Sequence, residues 1–169
     1  MRILRWLGIV LAGLVAVVVA VAIAARFTDG GIAIFPGGAL ESGERVAGPE
    51  PDGDWSFARD VPEMKFQLVE PTQSRTVWLL VHDGRLFVVS GYMKTPVGRW
   101  WKKWPAQAER DGRAVVRIEG KRYERRAVRV HDRALFEALA AETRRKYHVP
   151  LTADAIENEE AWVFELRPR

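Results

Sequence analysis

Cations and tryptophans are interleaved in SGYMKTPVGRWWKKWP, residues 90–105, which sets Lys94, Arg99, Lys102 and Lys103 among Trp100, Trp101 and Trp104. Ammonium and guanidinium groups bind phosphate or carboxylate through charge-assisted hydrogen bonds, and indole rings offer flat apolar walls. Three uses follow from that pairing: holding an anionic cofactor, lying on a membrane headgroup layer, or capping a hydrophobic barrel. Tryptophans at i, i+1 and i+4 cannot share one face, so the capping use puts two inside a barrel and the third over its mouth.

Other chemically capable side chains are sparse. The histidines are His82, His131 and His148, and none stands at a metal-ligand spacing such as i, i+4 beside a carboxylate. Their places beside a turn and a helix start read as polar loop positions. No Gly-x-Ser-x-Gly elbow or Ser-x-x-Lys pair supports a serine hydrolase. Cysteine is absent, which removes disulfides, thiol catalysis and lipoprotein attachment. The net charge of +4 is segregated: residues 27–98 carry six cations and ten anions, residues 99–146 fifteen and seven, and residues 147–169 two and five. The basic middle third points to an anionic partner such as a phosphorylated cofactor, a lipid headgroup or a nucleic acid.

From Trp6 to Ala25 the chain has no charged or strongly polar residue. Twenty helical residues at ~1.5 Å each span ~30 Å, the thickness of a bilayer's hydrocarbon core. Residues 1–26 therefore read as a single-pass membrane anchor. Arg2 and Arg5 precede the span, whereas Arg26 is followed by Asp29 and an acidic stretch, so positive-inside bias puts the N-terminus in the cytoplasm and exports the body. Export makes nucleic acid the least favoured partner, and it is set aside. A cleavable signal peptide is the rival reading, because Ala22-Ile23-Ala24 has the small-x-small form. Signal-peptide cores run ~7–15 residues, so the longer apolar run favours an uncleaved signal anchor.

Positioning the cationic stretch falls to the elements around it. Residues 27–62 are rich in Gly, Pro and acid, as in FPGGALESGE and PEPDGD, and read as a juxtamembrane linker without a regular element. Within it, Ile32, Ile34, Phe35 and Leu40 are candidates to pack on the domain, and Trp55-Ser56-Phe57-Ala58 to dock its far end. The folded domain then covers residues 63–169. Strand character begins at Lys65 and sharpens over Thr76–His82 and Arg85–Ser90, joined by Asp83-Gly84, the signature of a type I′ hairpin. These strands are apolar on both faces, so one face fills an interior and a helix or partner chain covers the other. A second hairpin, Arg113–Glu119 and Lys121–Val130 around Gly120, alternates Ala114, Val116 and Ile118 with a basic face. An amphipathic helix from the N-cap Asp132 to Tyr147 buries Leu135, Phe136, Leu139, Ala140 and Thr143, leaves Arg133, Glu137, Glu142 and Arg145 outside, and stops at Pro150. A last strand, Ala161–Leu166, sets Trp162, Phe164 and Leu166 on one face. The pattern is an N-terminal transmembrane helix followed by a β-rich α+β domain, a small barrel of about six strands with one amphipathic helix.

The segment PTQSRTVWLLVHDGRLFVVSGYMKTPVGRWWKKWP resembles the flavin-binding split β-barrel superfamily, which includes pyridoxamine-phosphate oxidase-like and deazaflavin-dependent reductase proteins. In that pattern an Arg opens a strand, a hairpin returns, the second strand ends in small polar residues and an aromatic, and a basic helix follows. Here Arg75 opens the strand, Ser90, Gly91 and Tyr92 end its partner, and Arg99–Lys103 form the helix before Trp104-Pro105. The resemblance covers Pro71 to Tyr147 and implies a split barrel, a homodimer, bound FMN or deazaflavin, and oxidoreductase activity. It implies that Ser90 with Arg75, Lys94 and Lys102 holds the cofactor phosphate beside Gly91 and Tyr92, while Trp101 flanks the planar ring. The residues themselves leave a second reading open: a non-enzymatic envelope domain, without a cofactor, that binds an anionic lipid, a small ligand or a protein partner.

Overall fold

A computed structural model of the chain describes residues 2–32, 34–46, 53–96, 98 and 102–169. Helix α1, Arg2–Ala25, precedes seven strands: β1 (Glu44–Arg45), β2 (Glu63–Leu68), β3 (Gln73–His82), β4 (Arg85–Ser90), β5 (Arg113–Ile118), β6 (Lys121–Arg129) and β7 (Trp162–Pro168). Strands β2, β3, β4, β7, β6 and β5 pair antiparallel in that order, and β2 pairs with β5 to close a six-stranded barrel. Closure leaves no free edge inside the ring, and β1 adds to the outside of β6 in parallel. This is the split-barrel architecture expected from the sequence.

Asp83-Gly84 has the turn backbone its residues foretell, and Glu119, expected in the strand, joins Gly120 in a second turn of the same kind. Asp83 and Gly84 take φ of 48° and 69°, and Glu119 and Gly120 take 47° and 78°, the double positive φ of a type I′ turn. A Cβ on Gly84 would also lie 3.2 Å from the Asp54 carboxylate. Gly84→Val should therefore destabilise the protein by roughly 1 kcal/mol or more, since positive φ is costly for a β-branched residue. Thermal melting checks this, and an unchanged Tm would contradict it.

Alternation along the strands builds two apolar layers. Phe66, Leu68, Leu79, Leu86, Val88, Val116, Ile118 and Phe164 fill the barrel. Leu80, Phe87 and Val163 face outward beneath helix α3, Arg133–Tyr147, which contributes Leu135, Phe136 and Leu139 to the second layer. Two-faced apolarity of the strands thus reflects a helix lying on the barrel wall. Asp132 caps α3 by accepting from the Ala134 N–H, as its position predicts.

Several local expectations are corrected. Glu142 was expected outside but is 7% exposed, because the segment before β2 lays Arg59 over it at 3.3 Å while Arg145 approaches to 2.7 Å. The hydrogen bonds from Arg145, then those from Arg59, outweigh burial and hold its carboxyl down to about 2 from 4.5. A folded-state pKa below the unfolded one gives stability that is present above about pH 4.5 and lost as pH falls toward 2. Between neutral pH and that acid limit, the wild type should lose about 2 kcal/mol more stability than Glu142→Gln, a figure discounted for the half-exposed arginines. Equal acid sensitivity of the two in urea titrations would contradict this. Helix α3 ends at Tyr147 as expected, and His148, at φ 55°, closes it ahead of Pro150 with its N–H on the Arg144 carbonyl.

Trp104-Pro105 opens a helix instead of stopping one. Helix α2 spans Trp104–Arg110, and proline is tolerated in a first turn whose N–H groups have no helical acceptor. Of the basic helix expected at residues 99–103, Arg99, Trp100 and Trp101 lie outside the described residues, and Lys102 and Lys103 are not helical. A short helix, α4 (Ala153–Glu157), was not foreseen; Thr152 caps it by accepting from the Ala155 N–H at 3.1 Å.

Between α1 and β2, β1 and a 3₁₀ turn at Trp55–Ala58 form where no regular element was expected. Leu40 and Trp55 are buried as anticipated, while Ile34 is exposed. Asp29 ion-pairs with Arg117 of β5 at 2.7 Å, and Gly37 pairs with Ser74 of β3. Helix α1 is long and apolar enough to cross a membrane, with a mean hydropathy of 3.0 over its best window and none of that window buried; a signal sequence meets the same test.

Candidate ligand-binding groove

A groove of about 1020 Å³ opens at the barrel end where β3 starts and β4 finishes. Arg75, Ser90, Gly91, Tyr92, Lys94 and Lys102 all line it, so the structure brings together six of the seven residues named from the sequence. The seventh, Trp101, lies outside the described residues.

Arg75 shares its strand face with Val77, Leu79 and Val81, and therefore points toward the barrel interior. Its guanidinium carbon lies 5.8 Å from the Trp104 ring centroid, one terminal nitrogen donates to Gln73 Oε1 at 3.2 Å, and Nε has no hydrogen-bond partner among the described residues. No described carboxylate lies within ion-pairing distance. Burial, with a smaller contribution from the Arg26 charge, pushes the group down to about 10, so it remains cationic at neutral pH. A desolvated cation without a counterion is costly in a bare fold and is suited to an anionic ligand.

The β4 end supplies a second cationic edge. Ser90 is 2% exposed and its hydroxyl is turned to Met93 Sδ at 3.5 Å. Gly91 has open space where a Cβ would stand, and its carbonyl accepts from Lys102 Nζ at 2.9 Å. Burial pushes the Lys102 ammonium below its ordinary value, and it sits 5.4 Å from the Tyr92 ring centroid. Tyr92 takes φ 61°, a left-handed conformation uncommon for a bulky residue, and its carbonyl accepts from Thr95 Oγ1 at 2.9 Å. Met93 N–H donates to the Glu160 carbonyl at 2.9 Å, tying this turn to the start of β7. Lys94 is exposed at the rim.

Sequence reasoning missed the apolar wall. Trp78 lies on the outer face of β3 and stacks on Tyr147 with centroids 4.5 Å apart and planes 8° from parallel. Trp78, Val149, Pro150, Leu151 and Ala161 line the groove on that side, and Trp104, 5% exposed, closes the barrel end against Phe66 and Phe164. Lys65, which donates to Thr76 Oγ1 at 2.7 Å, also lines it, as do the carboxylate residues Glu63 and Glu160. A signal for Trp78 was present: a large aromatic three residues after Arg75, on the strand face that the later helix covers.

No protein-family model and no curated protein matches the sequence. Among solved structures, a candidate pyridoxamine 5'-phosphate oxidase from Listeria innocua is 14% identical, with 63% of this chain and 82% of that one aligned at a TM-score of 0.42. A conserved hypothetical protein from Mycobacterium tuberculosis is 15% identical over 75% of this chain and 86% of its own, with a TM-score of 0.48. An F420 reductase is 14% identical over 70% and 95%, with a TM-score of 0.39.

Proposed function

We propose that the protein is a membrane-anchored oxidoreductase whose barrel groove holds a phosphorylated planar cofactor, FMN or a deazaflavin. The observation that carries this reading is Arg75, a largely desolvated cation with no described carboxylate partner at the end of a groove large enough for such a ligand. The residues present fit the group. Arg75 would hold the phosphate, with Lys102 and Lys94 completing the cationic edge. Gly91 leaves room for close approach, and the Trp78 side would supply an apolar wall against the ring. A flavin or deazaflavin, when bound, supplies hydride transfer. Native protein released into a mass spectrometer should yield a phosphorylated flavin or deazaflavin. Release of an anionic lipid in its place would favour the non-enzymatic envelope reading.

The anchor reading places the N-terminus in the cytoplasm and the barrel outside, on the strength of Arg2 and Arg5 before an apolar span. Alkaline phosphatase fused to the C-terminus should be active, and a fluorescent protein that folds in the cytoplasm should be dark in the same place. The opposite pair of results would reverse the topology, and a soluble mature chain beginning near Ala25 would replace the anchor with a signal peptide.

A further inference from the structure

The end of α1 is bonded to the barrel. Thr28 Oγ1 donates to the Ala25 carbonyl at 2.7 Å, Gly38 N–H to the Thr28 carbonyl at 3.0 Å, and Gly30 N–H to Ser74 Oγ at 3.1 Å. Gly37 and Ser74 exchange backbone bonds of 2.8 and 3.2 Å, and Arg117 clasps Asp29. A Cβ on Gly37 or Gly38 would fall 2.6 Å from the Thr28 carbonyl oxygen or 2.7 Å from that of Arg26, so this crossing is close-packed. The barrel therefore has a set orientation at the exit of the helix, and its groove is next to that exit: Gly31 and Ile34 line the groove that holds Arg75.

Exposed apolar side chains collect at the same place. Outside α1, the exposed large hydrophobics among the described residues are Phe27, Ile32, Ile34, Phe57, Trp78 and Tyr92. Phe27, Ile32 and Ile34 lie on the exit segment, Ile34, Trp78 and Tyr92 line the groove, and Phe57 alone of the six is elsewhere. Exposed cations accompany them: Arg26 precedes Phe27, and Lys94 lines the groove with Tyr92. Aromatic and aliphatic side chains next to lysine and arginine, at the end of an apolar span, match the interface of a bilayer with anionic headgroups.

On the reading that α1 spans a bilayer, we infer that the barrel lies on that same membrane through Phe27, Ile34, Tyr92 and Lys94, so that the groove opens at the level of anionic headgroups. The contact is shallow, ~5–10 Å deep, as for interfacial elements held by apolar side chains and cations together. A groove in this position receives its second ligand from the headgroup layer, which makes amphiphiles with an anionic end its natural clients. The inference does not depend on the identity of the cofactor.

Because the chain has no cysteine, single labels are simple to place. Full-length Ile34→Cys, Tyr92→Cys and Phe57→Cys variants carrying an environment-sensitive fluorophore are put in phosphatidylcholine nanodiscs with or without phosphatidylglycerol, and quenching by a shallow spin-labelled lipid is read. Labels at positions 34 and 92 should be quenched about two-fold or more and the label at 57 little changed, with the effect at 92 greater in anionic discs and reduced by Lys94→Glu. Unquenched labels at 34 and 92, equal quenching at all three, or indifference to anionic lipid would overturn the inference. A chain that fails to enter the discs overturns the anchor reading and this inference with it.

Discussion

Replacing Arg75 with Met should weaken FMN binding about tenfold or more while raising the melting temperature of the ligand-free protein. A charge-assisted hydrogen bond to phosphate contributes roughly 1.5–3 kcal/mol, which sets the loss of affinity. The opposite sign for stability follows from the environment of the guanidinium. It is largely desolvated, its Nε has no partner among the described residues, and its side-chain hydrogen bond to Gln73 is 3.2 Å long. An apolar side chain of similar length removes that desolvation cost and keeps the contact with Trp104. Arg75→Lys should fall between, retaining charge without the planar fork. Titration and thermal melting of the same preparations read both effects. A lower Tm with unchanged affinity would make Arg75 a structural residue and remove it from the site.

Trp104→Ala should cost about 3–5 kcal/mol of stability, the range for truncating a large aromatic in a core. Trp104 is 5% exposed, packs its ring 5.3 Å from Phe66 and 5.7 Å from Phe164, and sits beneath Arg75. It closes the barrel end and forms the floor on which the cationic site rests, so the variant should lose ligand binding together with cooperative unfolding. Trp104→Phe should retain most of the stability. Urea unfolding measures these differences, and a loss below about 1 kcal/mol for the alanine variant would contradict the core position of the ring.

What the sequence made legible follows from how local each signal is. Asp83-Gly84 declares its turn because type I′ geometry restricts residue choice, Gly120 marks the second turn although Glu119 joins that turn instead of the strand, and the flanking alternation fixes which side chains enter the barrel. Asp132 announces α3 in the same way. Barrel closure was less legible, since the β6–β7 and β2–β5 pairings join segments distant in sequence. Glu142 was misplaced because its burial is imposed by Arg59, far away along the chain. Trp104-Pro105 misled because proline marks the first turn of a helix as readily as it marks a stop. The polar residues of the groove were named through the family resemblance, with Arg75 opening one strand and Ser90, Gly91 and Tyr92 ending its partner. The apolar half was not, because Trp78 and the 149–151 segment meet only after α3 folds over β3.

The central claim is that Arg75 and the cations near it receive a phosphate on a planar cofactor. Equilibrium fluorescence titration of the full-length protein in nanodiscs, with FMN and with riboflavin in parallel, tests it most directly, since the two ligands share the ring and differ by the phosphate. FMN should bind at least about tenfold more tightly than riboflavin, and the difference should vanish in Arg75→Met. Equal affinity of the wild type for the two ligands, or a preference for FMN that survives in Arg75→Met, would contradict the account.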